Sequence, residues 1–223
     1  MEKTELIQHW NYFCSLAERL DDTKHYIDHG LVECEDGITL VHGDVYSDYF
    51  KQIIVLASSE FEVMGRALCE LKGHKVGNIV GISESILEDF PQIGIFEVST
   101  PFWVNTPLLE WQVNDGQVKG LPWWKAYNSL KHGHKDGYKQ ATLENAIISL
   151  ETLYIVDLYL MYLLFGDMSI ASTYPTVYFK CKYLSHPVSA GEGLLPDFGN
   201  MSPLERAESK YPGVFKKNDV IEG

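Results

Sequence analysis

Basic residues are scarce in this chain: 18 Lys and Arg stand against 31 Asp and Glu, a formal net charge of −13. A surface this acidic repels polyanions, which excludes a protein that grips phosphate backbones over its whole face. Cysteine is scarce too. Cys14, Cys34, Cys69 and Cys181 are scattered, with no C-x-x-C pair, and reduced thiols in a cytoplasmic protein are the expectation. The opening MEKTELIQHW is charged and amphipathic and lacks the apolar centre of a signal peptide. The most apolar run, residues 154–165, is shorter than the roughly 20 residues that cross a bilayer, and it contains Asp157. It reads as a buried core or interface helix. Phosphate-cradling glycine loops, a G-x-S-x-G elbow and an H-E-x-x-H pair are missing, as are internal repeats and low-complexity tracts.

What is present suits one packed domain. The apolar fraction is 45% and the aromatic fraction 13% over 223 residues, enough for a core. Apolar residues recur at helical spacing over residues 4–27, with Thr4 as a cap, and more clearly over 46–71 behind Ser47. A shorter helix is expected over 84–90, with Ser83 as cap and Pro91 as terminator. Thr142 opens a long helix that ends at Gly166 and is apolar nearly all round from Leu153, so it is either central or shared with another subunit. Residues 30–43 read as a loop or short hairpin. Residues 93–113 carry β-branched and aromatic residues broken by Pro101 and Pro107. The expected fold is mainly α: a helical domain over 1–166 with a small extended insertion at about 91–120. A tail over 167–223 packs on it, with a strand over 176–183 and a short helix over 203–210.

The charge that the chain lacks elsewhere is concentrated in one place. Between residues 119 and 139 lie Lys119, Lys125, Lys131, Lys135 and Lys139 with His132 and His134, against the single acid Asp136. If residues 123–132 are helical, Asn128 and His132 share a face. Asn128 can then orient the imidazole and leave its other nitrogen as an acid or base. A phosphodiester is the natural guest for such a group among lysines.

The run P-W-W-K-A-Y-N-S-L-K-H, followed by A-T-L-E-N-A at the head of an apolar helix, resembles helical proteins of the HEPN superfamily (higher eukaryotes and prokaryotes nucleotide-binding). It is most similar to bacterial members with a Trp-Trp-x-x-Tyr-Asn-x-x-Lys-His signature, and the E-F-E-V-M-G-R run at residues 60–66 fits the same resemblance. The resemblance implies a HEPN-like helical bundle that works as a homodimer on RNA, without metal or other cofactor. Many active members are metal-independent ribonucleases in toxin–antitoxin or antiviral defence systems, so an antitoxin or other protein partner is also implied. Their motif is an Arg, usually a polar residue next, and a His a few residues on. By resemblance His132 is the motif histidine, Asn128 the polar residue, and Tyr127 stands where the Arg is expected. A phenol lacks the guanidinium's fixed charge and bidentate fork, so Lys125 or Lys131 is left to supply charge. Lys125, His134, Lys135 and Trp124 are the expected substrate-binding residues.

Two other readings compete. A catalytically silent HEPN-like scaffold would use the apolar last helix to oligomerise and the lysine turn to bind a protein or nucleotide. A small-molecule binder would use the aromatic middle segment. His132 and His134, with His74, lack a carboxylate or thiolate partner in the sequence pattern, so no metal is expected. Trp123 and Trp124 are expected to anchor the turn against the core more than to stack on bases.

Overall fold

Helix starts are set by side chains that take up the first N–H groups. The computed structural model describes residues 1–34, 37–133, 136–166, 170–171 and 176–181. Helix α1 (Lys3–Asp22) begins ahead of Thr4, because the Glu2 N–H donates to Glu5 Oε2 (3.2 Å) and the chain is already capped there. It buries Leu6, Trp10, Phe13, Leu16, Ala17 and Leu20, the stripe that their spacing predicts. It stops at Asp22, short of residue 27, where Thr23–His25 tighten into a 3-10 turn. Strands β1 (Leu31–Cys34) and β2 (Gly37–Leu40) then form an antiparallel hairpin.

Helix α2 (Asp48–Leu71) starts where Ser47 predicts: its Oγ accepts the Phe50 N–H at 3.1 Å. Helix α3 (Ile79–Asp89) starts earlier than expected. Its cap is Asn78, whose Oδ1 accepts the Gly81 N–H (2.9 Å). Ser83 is instead buried inside the helix, where its Oγ accepts the Trp111 indole N–H at 3.1 Å. The helix still ends ahead of Pro91.

The insertion is two small antiparallel hairpins. Strands β3 (Val98–Ser99) and β4 (Val104–Asn105) form the first; β5 (Gln112–Asn114) and β6 (Gln117–Lys119) form the second. Asp115 and Gly116, both at positive φ (52° and 69°), make the two-residue turn of the second. Gly120 follows at φ 77°, and a Cβ there would sit 1.8 Å from the Glu110 carbonyl oxygen.

Helix α4 (Pro122–Lys131) carries Pro122 in its first turn, where the missing N–H is harmless. A 3-10 turn (Gly137–Gln140) leads to α5 (Leu143–Phe165). Thr142 Oγ1 caps α5 by accepting the Asn145 N–H (3.2 Å), and Gly166 ends it.

Helix α5 is the axis of the bundle. It packs along α2 above all, then α1 and α4, and every residue from Ser149 to Leu158 is buried. Its all-round apolar surface is therefore covered within one chain up to Met161, and only Tyr162 and Leu163 in the last turn are exposed. By length and composition α5 could cross a bilayer, but most of it is buried here.

Part of the tail belongs to the core. Tyr178 and Phe179 are buried, and Phe179 packs its ring on Phe13 and Tyr154 at centroid distances of 6.0 and 6.1 Å. Within 176–181 the expected strand is a single bridge, Lys180 to Ser99. The rest of that strand, and the helix expected over 203–210, lie outside the described residues.

Candidate functional site

Of the lysine-rich segment, Lys125 and Lys131 lie exposed on α4, while Lys119 ends β6 and Lys139 lies in the 3-10 turn that follows. Trp123 is fully buried edge-on to Phe61 of α2, with ring centroids 5.0 Å apart, and so anchors the helix to the core. Trp124 is half-buried and packs on Tyr127 (5.1 Å). Its indole therefore braces α4 from the side.

Tyr127, at the position expected of an arginine, is buried to 4% exposure. Its hydroxyl lies 3.5 Å from Ser59 Oγ of α2 and accepts from Lys131 Nζ at 3.3 Å. The same ammonium sits 5.2 Å from the Tyr127 ring centroid, a cation–π placement. Tyr127 thus supplies no charge of its own, but it positions a lysine one turn further along the helix.

On α4, Lys125, Asn128 and His132 fall at i, i+3 and i+7, one continuous stripe. Lys125, Lys131 and His132 are exposed and Asn128 is half-buried. The tie between Asn128 and His132 runs through the backbone, the His132 N–H donating to the Asn128 carbonyl at 3.1 Å. His132 is thus the C-terminal cap of α4, where a cation is favoured by the helix dipole. His134 and Lys135 lie outside the described residues. Lys139 pairs with Asp136 (3.4 Å). The exposed ammonium groups of Lys125 and Lys131 on this helix suit an oxyanion ligand better than a metal. Among the described residues no group of three His, Cys, Asp or Glu side chains could hold a metal ion.

A second polar cluster lies at the α1–α2–α5 junction. Glu60 accepts a short hydrogen bond from His9 Nδ1, so it serves α1 and not the α4 turn. Asp157 is fully buried, and among the described residues neither of its carboxyl oxygens has a hydrogen-bond partner. Burial, reinforced by the Glu60 charge, holds it protonated well above the usual carboxylate range. Neutralisation thus stands where a buried carboxylate would need a charged partner. Burial, then the proximity of Asp157, pushes the Cys14 thiol up to about 12, and Cys69 rises to about 11, again mainly by burial. Neither is a ready nucleophile at neutral pH.

Two features had no prominence in the sequence. His29 is buried between Thr23 Oγ1 on Nε2 (2.9 Å) and the Tyr178 hydroxyl on Nδ1 (2.7 Å). Because Thr23 gives its own proton to the Leu20 carbonyl (2.7 Å), it must accept from His29, and Tyr178 then donates to the other nitrogen. Burial, aided by Lys24, lowers the His29 pKa to about 4. The other is Glu151, fully buried on α5 with its pKa raised to about 8 by burial.

Fold and site together define a mainly α domain around one central apolar helix, with a cationic face on α4. No family model, curated protein or solved structure matches this chain.

Proposed function

We propose that the chain is a HEPN-like, RNA-directed cytoplasmic protein that acts as a homodimer in a defence or toxin–antitoxin setting, with the α4 face as its RNA site. The observation that carries this reading is the Tyr127–Lys131 pair, which fixes an ammonium on the same helix that ends in the exposed His132, in an otherwise acidic chain. Lys125 and Lys131 hold the phosphate, with Lys135 and His134 extending the surface and Trp124 at its flank. His132 takes the proton of a ribose 2′-hydroxyl as that oxygen attacks its own neighbouring phosphate. The 5′-oxygen of the next nucleotide leaves, protonated from water, and a 2′,3′-cyclic phosphate remains, while Asn128 orients the imidazole and Lys131 offsets charge on the phosphorus oxygens. DNA, without that hydroxyl, is bound but not cut.

A silent scaffold is the second reading, and the burial of Tyr127 favours it, because no guanidinium fork stands at that position. Incubation of the purified chain with a structured RNA in EDTA separates the two. Cleavage that persists in EDTA and stops in His132→Ala supports the ribonuclease. RNA binding weakened about threefold or more in Lys131→Ala, without cleavage, supports the scaffold. Absence of any RNA binding, with native helicity retained, removes the ribonuclease and leaves the scaffold only as a binder of protein or nucleotide.

A further inference from the structure

Where α1 ends and α2 begins, the two segments enclose an open cleft of about 490 Å³. One wall is the 3-10 turn that follows α1 and the residues just after it, with Asp22, Tyr26 and Ile27; the other is the first turn of α2, with Ser47, Tyr49 and Phe50. Its two tyrosine rings are turned to solvent. Tyr26 is 88% exposed, its ring braced edge-on by His25 with centroids 6.4 Å apart, so it gains little from burial. Tyr49 keeps 36% exposed although the Arg19 guanidinium lies 5.2 Å from its ring centroid. Gln52 Oε1 holds that guanidinium in place by accepting from it at 2.9 Å. The chain thus already sets a cation against one ring of the cleft.

Charge points the same way. Asp22 is exposed on the wall and forms no ion pair among the described residues, since Lys24 pairs with Asp21 instead. No lysine or arginine lines the cleft. The positive end of α2 is no invitation to an anion, because Ser47 Oγ takes the Phe50 N–H and Asp48 stands in the first turn. The acceptors then select the kind of cation. A bare ammonium has three N–H groups to satisfy, whereas Ser47 Oγ already serves Phe50 and Thr23 Oγ1 already serves His29. A quaternary ammonium needs no acceptor, only aromatic faces and a nearby negative charge.

We propose that this cleft binds a small, freely diffusing quaternary ammonium compound of the choline type. Its methyl groups lie against Tyr26 and Tyr49, its charge faces Asp22, and Ile27 and Phe50 supply the apolar floor. The phosphate of a lipid headgroup would be repelled by Asp22 and Asp48, which makes the free compound the occupant. No residue of α4 lines this cleft, so the proposal stands apart from the RNA reading.

The test is calorimetric titration of the full chain with choline and with 3,3-dimethylbutan-1-ol, which has the same shape with carbon in place of the charged nitrogen. Choline should bind about tenfold tighter or more. Tyr26→Ala should weaken choline about threefold or more, and Tyr26→Phe should restore it, because the ring and not the hydroxyl makes the contact. Asp22→Asn should also weaken it about threefold or more. Both positions are exposed and outside the core, so each variant should keep native helicity, which circular dichroism checks. Equal affinity for choline and the neutral alcohol, no saturable choline binding, or choline affinity unchanged in both Tyr26→Ala and Asp22→Asn would overturn the proposal. So would sedimentation of the chain with phosphatidylcholine vesicles that free choline does not compete away.

Discussion

Glu151→Gln is the sharpest probe of the core: Oε2 of this buried acid accepts from Asn105 Nδ2 at 2.7 Å, while Oε1 has no hydrogen-bond partner among the described residues. In the unfolded chain this carboxyl ionises near 4.5, and in the folded chain only near 8. Folding at neutral pH therefore takes up a proton. The stabilising contribution of the protonated form is complete below 4.5 and is lost as pH rises through 8. Between 4.5 and pH 7 the loss accumulates at about 1.4 kcal/mol per pH unit, or about 3 kcal/mol in all. Glutamine keeps an acceptor for Asn105 and a polar group where Oε1 lies, so it reproduces the protonated acid without titrating. The variant should match the native chain near pH 4.5 and exceed it by about 3 kcal/mol near pH 7. At about 2–4 °C per kcal/mol for a chain of this size, that is a Tm rise of about 6–12 °C. Urea unfolding across this pH range reads the difference directly, and Asp157 cancels because both proteins carry it. A stability gap that stays constant with pH would refute the reasoning, since it would mean that Glu151 is ionised in the folded chain.

Other expectations follow from single contacts. His29 should stay neutral down to about pH 4; stability should then fall as pH drops from 6.5 towards 4, and an NMR titration of its ring that midpoints near 6.5 would contradict the buried geometry. Tyr178→Phe, which removes the 2.7 Å bond to that ring, should cost about 1–2 kcal/mol in urea unfolding. Gly120→Ala forces a left-handed residue and a Cβ into the Glu110 carbonyl, whereas Gly116→Ala has nothing within 4 Å of the added carbon. The first should lose about 3 kcal/mol or more and the second about 1 kcal/mol, measured by thermal melts; equal losses would dismiss the close approach.

What was legible in the sequence is what is local. Ser47 and Thr142 each stand directly before a long apolar stripe and each caps its helix. Ser83 looked equally good, but its hydroxyl is drawn inward by an indole 28 residues away, and no local pattern carries that information. The β-branched and aromatic run over 93–113 marked the extended insertion, which became two small hairpins, the second turning at Asp115–Gly116. The stripe of Lys125, Asn128 and His132 on α4 could be read from spacing alone. The use of Tyr127 could not, because it depends on Ser59, 68 positions earlier. Asp157 stood out as an acid among leucines, while Glu151, with a serine two positions before it and a threonine directly after it, did not. Its burial comes from Asn105 and the insertion packed over it.

The ring of Phe179 against Phe13 and Tyr154, and the hydroxyl of Tyr178 on His29, change what a boundary at residue 166 would mean. A protease cut or a stop codon there would not trim an appendage. It would unplug the end of the bundle, wetting aromatic faces on α1 and α5 and stranding a buried imidazole without its donor. The smallest autonomous piece of this chain therefore extends at least to Cys181, and any shortened form used to study it should be drawn to include that closing segment.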